Sequence, residues 1–268
     1  SKDTYLGRVV AGRYRLEALL GEGGMGVVYR ARHVLIDRVV ALKLIRPDLR
    51  GETHLRAWML REARAANRVD HAHIVEIHDV GETEEGELYL VMEYLPGKTL
   101  KRVIRKEYPL DPRRIAHICI QTLSALEQAH KSGIVHCDLK PANLMLEEVA
   151  GQADFIKVLD FGIAKVKGPA MEAGPYTQAG NIVGTFDYMS PEQIMRKDLD
   201  GRADIWSMGV IMYEMLTKKR VFHDKDAVSI IGRVMQMPIT PPIDALNGAI
   251  PPELDDIVMK AMERNVEK

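Results

Sequence analysis

The chain has 268 residues, 46% hydrophobic and 28% charged, which suits a soluble globular protein with one large domain or two small lobes. Its 37 basic and 38 acidic residues nearly balance, so we expect no nucleic-acid partner. The two cysteines, Cys119 and Cys137, lack CxxC spacing, which argues against a disulfide framework and indicates a reducing compartment.

The most apolar segment, residues 205–213, ends at Glu214 and is much too short to cross a bilayer. The sequence also has no signal peptide. We therefore expect a cytoplasmic location and no membrane contact by this segment. Because the chain stops at Lys268 without a tail, we also expect a truncated C-terminus and a longer parent protein, which is where a membrane anchor would lie.

Strand-like alternation at residues 14–20, 27–31 and 38–45 surrounds a glycine cluster at residues 21–26. The cluster, Gly-Glu-Gly-Gly-Met-Gly, fits G-x-G-x-x-G, in which glycines let backbone amides approach phosphates closely. A plain hairpin turn is the alternative interpretation. The dinucleotide-binding version is excluded, because a strand follows the glycines where that fold has a helix.

Lys43 lies in the third of these strands, on the same face as Ala41. A buried ammonium group is costly unless it is paired, although an edge-strand lysine can reach water. A helix is predicted at residues 53–68, with Thr53 as its cap. One face of it contains Leu55, Met59, Glu62 and Ala66. Glu62 interrupts this apolar stripe, whereas a solvated glutamate would be expected on the opposite face of the helix. We therefore infer that Glu62 pairs with Lys43.

Two more strands are predicted at residues 75–80 and 88–94, after a loop whose His71 and His73 have no metal-binding spacing. Beyond Pro96 the chain turns helical. Helices are predicted at residues 112–132, 205–216, 226–235 and 252–264. Cys119 falls on the apolar stripe of the first and is assigned to the core, and Asp204 is assigned as the cap of the second.

The central stretch reads His-Cys-Asp-Leu-Lys-Pro-Ala-Asn at residues 136–143 and Asp-Phe-Gly at residues 160–162. Apolar runs between them, separated by turn residues 150–152, predict a hairpin that brings Asp138, Asn143 and Asp160 together. Two carboxylates and an amide beside a lysine, without a His/Cys cluster, suit Mg²⁺ better than zinc. Since phosphate usually completes such a site, the stretch predicts phosphoryl transfer.

The run H-x-D-x-K-x-x-N followed by D-F-G resembles the catalytic core of protein kinases, and the resemblance extends over residues 14–268. The wording G-E-G-G-M-G-V-V-Y is similar to the bacterial branch of Ser/Thr kinases. The resemblance implies an α+β, two-lobed protein kinase fold. Residues 1–95 would form a small antiparallel-sheet N-lobe with one main helix, and residues 96–268 a larger, mostly helical C-lobe.

The implied function is transfer of the ATP γ-phosphate to Ser/Thr hydroxyls of protein substrates, with autophosphorylation, in bacterial signal transduction. Asp138 would accept or orient the hydroxyl proton, and Lys140 would contact the transferred phosphate, as in Ser/Thr-specific kinases. Glu62 would aim Lys43 at the α- and β-phosphates. In kinases, the residue that matches Asp204 also accepts hydrogen bonds from backbone N–H groups of the catalytic loop, and we expect Asp204 to do so in addition to capping its helix.

The implied cofactors are ATP and Mg²⁺, with the metal on Asn143 and Asp160. The implied nucleotide contacts are Gly21, Gly23, Gly26, Val28, Ala41, Lys43, Met92, Glu93, Leu95 and Met145. In this set the backbone at Glu93 and Leu95 bonds the adenine edge, and Met92 guards the pocket behind it. Met145 would lie below the adenine ring, with Val28 and Ala41 above it. Packing in the core is the alternative interpretation for Met145, Val28 and Ala41.

Residues 163–183 are rich in Gly, Pro and Ala and are predicted to form a mobile loop. Thr177 is the first candidate phosphosite, and Tyr176 and Thr185 are the next candidates. The family commonly has Arg where this chain has Cys137, and that Arg usually neutralises a loop phosphate, so control by loop phosphorylation is less favoured. For Cys137 a redox role is the alternative to a small, partly buried thiol.

Ser190-Pro191-Glu192 resembles the loop that seats a protein substrate, so the expected partner is a protein. A small-molecule phosphotransferase is one rival, and a nucleotide-binding scaffold without catalysis is another. The scaffold is disfavoured because Lys43, Asp138 and Asp160 are all present. Some bacterial relatives pair through their first lobes, which adds a homodimer to the expectations from resemblance.

Overall fold

The computed structural model describes residues 5–23, 26–45, 53–160 and 186–267, and the chain divides into two compact units. The described part of the first unit lies within Ser1–Arg68 and Val75–Pro96. That of the second lies within Val69–Ile74, Gly97–Glu172 and Gln178–Lys268. Although the sequence suggested a boundary after residue 95, the short segment Val69–Ile74 is grouped with the second unit.

The first unit contains a six-stranded antiparallel sheet in the order β1-β2-β3-β4-β6-β5. Its strands are β1 Val9–Val10, β2 Tyr14–Glu22, β3 Gly26–His33, β4 Val39–Ile45, β5 Ile77–Glu82 and β6 Leu88–Glu93. Five of these were predicted, and their ends differ from the predicted ends by at most two residues. In β4, Leu42 and Leu44 join the core cluster on one face of the sheet, which leaves Ala41 and Lys43 on the other face.

Helix α1, Thr53–Arg68, packs against β5 and β6. Met59 and Ala66 are buried, as the predicted stripe requires, and Ala63 joins them. The side chain of Thr53 lies outside what the structure describes, so its assignment as the cap of this helix stays a prediction. Packing against two strands buries a broader face than the stripe read from the sequence.

The second unit is mostly helical. Its helices are α2 Leu100–Glu107, α3 Pro112–Lys131, α4 Pro191–Ile194, α5 Arg202–Thr217, α6 Ala227–Gln236, α7 Pro242–Ala245 and α8 Pro252–Ala261. Helix α5 packs against α3, α7 and α8, and only Arg202, Ile205 and Glu214 of its residues are not buried. The prediction of a central helix here is confirmed. No helix among the described residues is long and apolar enough to span a membrane.

A small antiparallel sheet joins β7 Lys98–Thr99, β8 Leu144–Val149 and β9 Gln152–Val158. The turn residues Ala150 and Gly151 have φ values of 50° and 79°, as a two-residue type I′ turn requires. The predicted hairpin is therefore confirmed, with strands that reach closer to the turn. It begins directly after a 3₁₀ turn, Pro141–Asn143, and β9 ends two residues before Asp160.

The other predictions for this unit also have structural outcomes. Asp111 caps α3 by accepting the Arg113 N–H at 2.7 Å, and Cys119 is buried in that helix. Burial raises the pKa of the Cys119 thiol to about 12, as expected of an inert core cysteine. His71 and His73 lie within hydrogen-bonding distance of Ser124 Oγ and Ile156 O, at 3.1 and 2.9 Å, which supports their interpretation as loop polar groups.

Candidate active site

The carboxylate of Asp138 lies at the centre of a hydrogen-bonded cluster in the second unit. Lys140 Nζ lies 2.7 Å from Asp138 Oδ2, and Asn143 Nδ2 donates to the same oxygen at 3.3 Å and to Asp138 O at 2.9 Å. The 3₁₀ turn makes this possible, because Asn143 N–H donates to Lys140 O at 2.9 Å and folds the chain back. The structure thus brings together three predicted site residues.

The hairpin fixes the backbone before Asp160. Leu159 N–H donates to Asn143 O at 2.8 Å, and His136 Nε2 lies 2.8 Å from Leu159 O. His136 is fully buried, and its Nδ1 accepts the Asp138 N–H at 3.2 Å. His136 therefore has a structural role, since it links the Asp138 loop to the chain at Leu159. Asp160 follows in a left-handed conformation, with φ of 51°.

Asp204 anchors the same loop from helix α5. Its side chain is fully buried, and its two oxygens accept the N–H groups of His136 and Cys137, each at 2.9 Å. The residue before the helix is Gly201, which makes no side-chain capping bond. The prediction that Asp204 caps α5 is therefore wrong, whereas the contact with the catalytic loop is observed. Asp204 lies in the first turn of the helix, and its carboxylate binds the loop amides.

Cys137 lies in this loop in an unusual backbone conformation, with φ of 62°. A left-handed non-glycine residue costs on the order of 1–3 kcal/mol, which the surrounding bonds must offset. Its N–H is bound by Asp204, and its carbonyl accepts the Gln193 Nε2 hydrogen at 2.7 Å. The thiol is buried, so the interpretation as a small buried thiol is favoured.

Gln193 belongs to α4 and also completes its capping box. Ser190 Oγ accepts the Gln193 N–H at 3.3 Å, and Gln193 Oε1 accepts the Ser190 N–H at 3.0 Å. The Ser190-Pro191-Glu192 segment is therefore tied to the loop that carries Asp138.

In the first unit, strand register brings together four predicted nucleotide contacts. Val28 pairs with Lys43, and Ala41 pairs with Met92. Paired residues in an antiparallel sheet point to the same side, and so do residues two apart on one strand, so these four side chains share a face. Ala41, Lys43 and Met92 are nearly fully buried.

The glycines near the β2–β3 turn differ in whether packing requires a residue without a side chain. A Cβ on Gly26 would lie 2.3 Å from Leu44 O, so the close approach of β4 requires glycine there. A Cβ on Gly21 would meet nothing within 4 Å, so packing within the protein does not require glycine at that position. Gly23 N–H donates to Gly26 O at 2.9 Å and closes the turn.

The remaining predicted nucleotide contacts lie at the end of β6 and in β8. Glu93 N–H donates to Glu76 O at 3.0 Å, and Leu95, just beyond the strand, is half-buried. Met145 in the second unit is half-buried, whereas its neighbour Leu144 on the opposite face of β8 is fully buried. The adenine contacts assigned to these residues stay predictions.

Several predictions lie outside what the structure describes. The side chain of Glu62 is not described, so its pairing with Lys43 stays a prediction. Residues 161–185, which include Phe161, the candidate phosphosite Thr177 and its alternatives, also lie outside the described residues.

The predicted Mg²⁺ ligands are an amide and a carboxylate. Among the described residues there is no group of three or more His, Cys, Asp or Glu side chains placed to hold a metal. A Mg²⁺ site completed by nucleotide phosphates needs only one or two protein oxygens, and Asn143 fits it. Because its Nδ2 donates to Asp138, its Oδ1 is the atom left to act as a hard oxygen ligand.

A buried polar cluster that the sequence did not reveal lies just after residue 185. Asp187 is fully buried and pairs with Arg220 at 2.8 Å, and the Tyr188 hydroxyl donates to Glu214. Burial raises the pKa of Glu214, and burial together with the Glu214 charge raises the pKa of Tyr188. Sequence reasoning missed these residues, as it missed His130, whose Nε2 lies 2.7 Å from Asp204 Oδ2, because their partners are distant in the chain.

Known proteins resemble this chain over almost its whole length. Residues 14–268 match the family model of the protein kinase domain. The chain is 40% identical over 264 residues to the serine/threonine-protein kinase pkn3 of Myxococcus xanthus, covering 98% of this chain and 48% of that protein. It is 35% identical to the serine/threonine-protein kinase PrkC of Bacillus subtilis, covering 97% of this chain and 39% of PrkC.

A solved structure agrees with these matches. A mutant of the PknI kinase domain from Mycobacterium tuberculosis superposes with a TM-score of 0.71 at 26% identity, covering 96% of this chain and 90% of that one. The chain spans less than half the length of the curated relatives named above. With the site geometry and these matches together, the chain belongs to the protein kinase family and is a serine/threonine-protein kinase domain of the bacterial type.

Proposed function

We propose that this chain binds ATP with Mg²⁺ and transfers the γ-phosphate to Ser/Thr hydroxyls of proteins in bacterial signal transduction, with Asp138 at the reacting centre. The observation that carries the proposal is the Asp138 cluster. Its carboxylate is held by Lys140 and Asn143, while the backbone beside it is held through His136, Cys137 and Asp204. Such preorganisation is what positioning a hydroxyl for transfer requires.

In this proposal Asp138 orients the substrate hydroxyl and accepts its proton, and Lys140 offsets the charge that develops on the transferred phosphate. Asn143 and Asp160 hold Mg²⁺, which would neutralise the phosphate charge when bound. The bond between Leu159 and Asn143 supports this pairing, because it fixes the chain next to both ligands.

The nucleotide is proposed to lie against the face that Val28, Ala41, Lys43 and Met92 share. The glycine loop would cover the phosphates, and the absence of any packing need at Gly21 supports a ligand as the reason for glycine there. Lys43, paired with Glu62, would contact the phosphates, while the backbone of Glu93 and Leu95 and the side chain of Met145 would contact adenine.

The experiment that tests the proposal replaces Asp138 with Asn and follows label transfer from ATP to a generic protein substrate. Because a positioned base contributes about 10²–10⁴-fold, we expect a loss of at least about 100-fold in kcat. Binding of a fluorescent ATP analogue should persist, and the matched control Asp200→Asn, at a surface ion pair, should keep the parental rate. Transfer by Asp138→Asn at the parental rate would contradict the assignment.

The same assay separates the rivals. A parent protein that binds nucleotide but transfers no phosphate would be a scaffold, and one that modifies metabolites but not proteins would be a small-molecule phosphotransferase. Mass spectrometry after incubation with Mg-ATP reports autophosphorylation, for which Thr177 is the proposed position. The Thr177→Ala variant should lose that phosphate.

A homodimer is proposed through the first unit. Leu35 and Ile36 are neighbours between β3 and β4 and are 81% and 66% exposed, so they form a small apolar patch. A second copy would cover them. Sedimentation of the Leu35→Glu/Ile36→Glu double variant should then give only monomer. Val228→Glu, at a side chain 79% exposed in the second unit, is the control and should sediment as the parent protein does.

The location is proposed to be cytoplasmic, because ATP is the phosphate donor and both cysteines are free of disulfides. Fractionation of cells that express the chain tests this: recovery outside the cytoplasmic fraction would contradict it.

A further inference from the structure

A strip of cations on the second unit is not used by the catalytic assignments above. It consists of Lys101 and Arg105 on α2 and Lys218 and Lys219 directly after α5, and all four are exposed. Lys101 and Arg105 are four residues apart and so lie on the same face of the helix. We call these four residues the basic band.

One contact brings the two halves of the band together. Lys218 Nζ lies 5.4 Å from the centre of the Tyr108 ring, which follows the last residue of α2. In agreement with this contact, the positive charge of Lys101 opposes the rise that burial causes in the pKa of Glu214, near the end of α5. Helix α2 therefore lies beside the C-terminal end of α5, and their cations form one surface.

Three acidic residues of the described α2 and α5 regions have other partners. Glu214 accepts from Tyr188, Asp187 pairs with Arg220, and Glu107 pairs with Lys98 and Arg114. Across the described residues, none of the four cations of the band forms an ion pair within 4.0 Å. The band is therefore a positively charged surface whose four cations make no ion pair within the described part of the chain.

Both halves of the band are connected to the loop that carries Asp138. Helix α2 packs on the 3₁₀ turn Pro141–Asn143, from which Asn143 bonds Asp138. The end of α5 holds Tyr188, and the chain from there runs to Gln193, which donates to the carbonyl of Cys137. Both elements that carry the band are therefore packed or bonded, through these residues, to the loop of Asp138.

We propose that the basic band selects protein substrates with Asp or Glu close to the acceptor Ser or Thr. This inference rests on the proposed kinase function and narrows its substrate class. Exposed cations attract carboxylates over roughly the Debye length, about 10 Å at 0.1 M salt, so the preference should weaken as salt rises. The band acts on binding, so the effect is expected mainly in KM.

The test uses a peptide with one Thr among neutral residues, and versions in which each flanking position in turn becomes Asp or Lys. The parent protein should show kcat/KM values about three- to fivefold higher for the favourable Asp peptides than for the neutral peptide, as expected for exposed ion pairs. The Lys versions should be poorer than the neutral peptide, and added salt should reduce both differences.

Two double variants on separate elements test the band itself: Lys101→Glu/Arg105→Glu and Lys218→Glu/Lys219→Glu. Each should lower the ratio of kcat/KM between Asp and Lys peptides, while its circular dichroism matches that of the parent protein. Lys131→Glu, at an exposed lysine that pairs with Glu127, is the control. It lies next to His130, which contacts the opposite end of α5, about 20 Å away by helix length, and it should leave the ratio unchanged.

Equal kcat/KM values for Asp and Lys peptides with the parent protein would overturn the inference while leaving the kinase function intact. A preference that survives in both double variants would overturn it as well. Pelleting of the parent protein with phosphatidylglycerol vesicles, lost in both double variants and accompanied by equal peptide rates, would assign the band to a membrane surface. A parent protein that phosphorylates neither the peptides nor a generic protein would refute the proposed function, and this inference with it.

Discussion

Replacing Asp204 with Asn tests whether one buried carboxylate holds the catalytic loop. Asn keeps the shape of Asp but has a single acceptor oxygen and an NH₂ group that only donates. In the parent protein, one oxygen of Asp204 accepts from His136 N–H and the other from Cys137 N–H. Whichever way the amide is oriented, one of these buried donors faces another donor and loses its acceptor.

The size of the effect follows from these bonds. A buried donor left without a partner costs about 1–3 kcal/mol, and a hydrogen bond to a charged group contributes about 1.5–3 kcal/mol. We therefore expect the free energy of unfolding to fall by about 2–4 kcal/mol. Because Cys137 keeps its left-handed φ of 62° with the help of this bond, and Asp138 follows it, kcat should fall more than the KM for ATP rises.

The assays are urea unfolding, steady-state kinetics at a temperature where the variant stays folded, and amide hydrogen exchange at His136 and Cys137. The control is Asp200→Asn, near the same helix end, whose carboxylate binds Arg202 at the surface and contributes about 0–1 kcal/mol. An Asp204→Asn protein with parental unfolding free energy and parental exchange at the two amides would refute the reasoning.

Three further predictions concern packing and charge. Gly26→Ala should lower the free energy of unfolding by about 1–3 kcal/mol, because its Cβ would lie 2.3 Å from Leu44 O, whereas Gly21→Ala should unfold as the parent protein does and raise the KM for ATP. Equal urea midpoints for the two variants would count against this. Burial raises the pKa of Glu214 in the folded protein above its ordinary value of 4.5. The protonated side chain therefore contributes its full stabilisation at pH values below 4.5, and this contribution is lost as the pH rises through the higher pKa of the folded state. The Gln side chain of Glu214→Gln does not titrate, so the stability of this variant relative to the parent protein should increase over that pH range. Parallel curves of unfolding free energy against pH for the two proteins would contradict this prediction. Arg220→Met should cost about 1–3 kcal/mol, since the buried Asp187 then keeps only His223, 3.4 Å away, as a possible ion-pair partner, although Arg220 itself is 39% exposed. Lys219→Met should stay within about 0.5 kcal/mol in urea unfolding. A parental urea midpoint for Arg220→Met would show that Asp187 does not depend on this pair.

Local chemistry made much of this chain predictable. The hairpin follows from apolar runs around Ala150-Gly151, whose two positive φ angles suit a type I′ turn. Likewise Lys140 and Asn143 contact Asp138 across only two and five residues, so the spacing D-x-K-x-x-N already specifies the cluster. Period and spacing act over a few residues, and a sequence displays them directly.

Short elements were less predictable. Helices α4 and α7 have four residues each, too few to display a helical period, and form where capping and packing favour them. The eight-residue α2 was also missed, although Thr99 caps it by accepting the Arg102 N–H, and so was the surface it forms with the end of α5.

The sequence by itself determined the kinase motifs, the order along the chain of most strands and the main helices, and the local part of the Asp138 cluster. The resemblance also implied that Asp204 binds the loop before Asp138, but only the tertiary structure decided that it does so without capping its own helix. Its partners lie 67 and 68 residues earlier in the chain, and Gln193 reaches Cys137 across 56 residues. Such bonds form only after the helices have packed, because the packing sets which buried N–H groups need an acceptor and which side chain lies close enough to provide it.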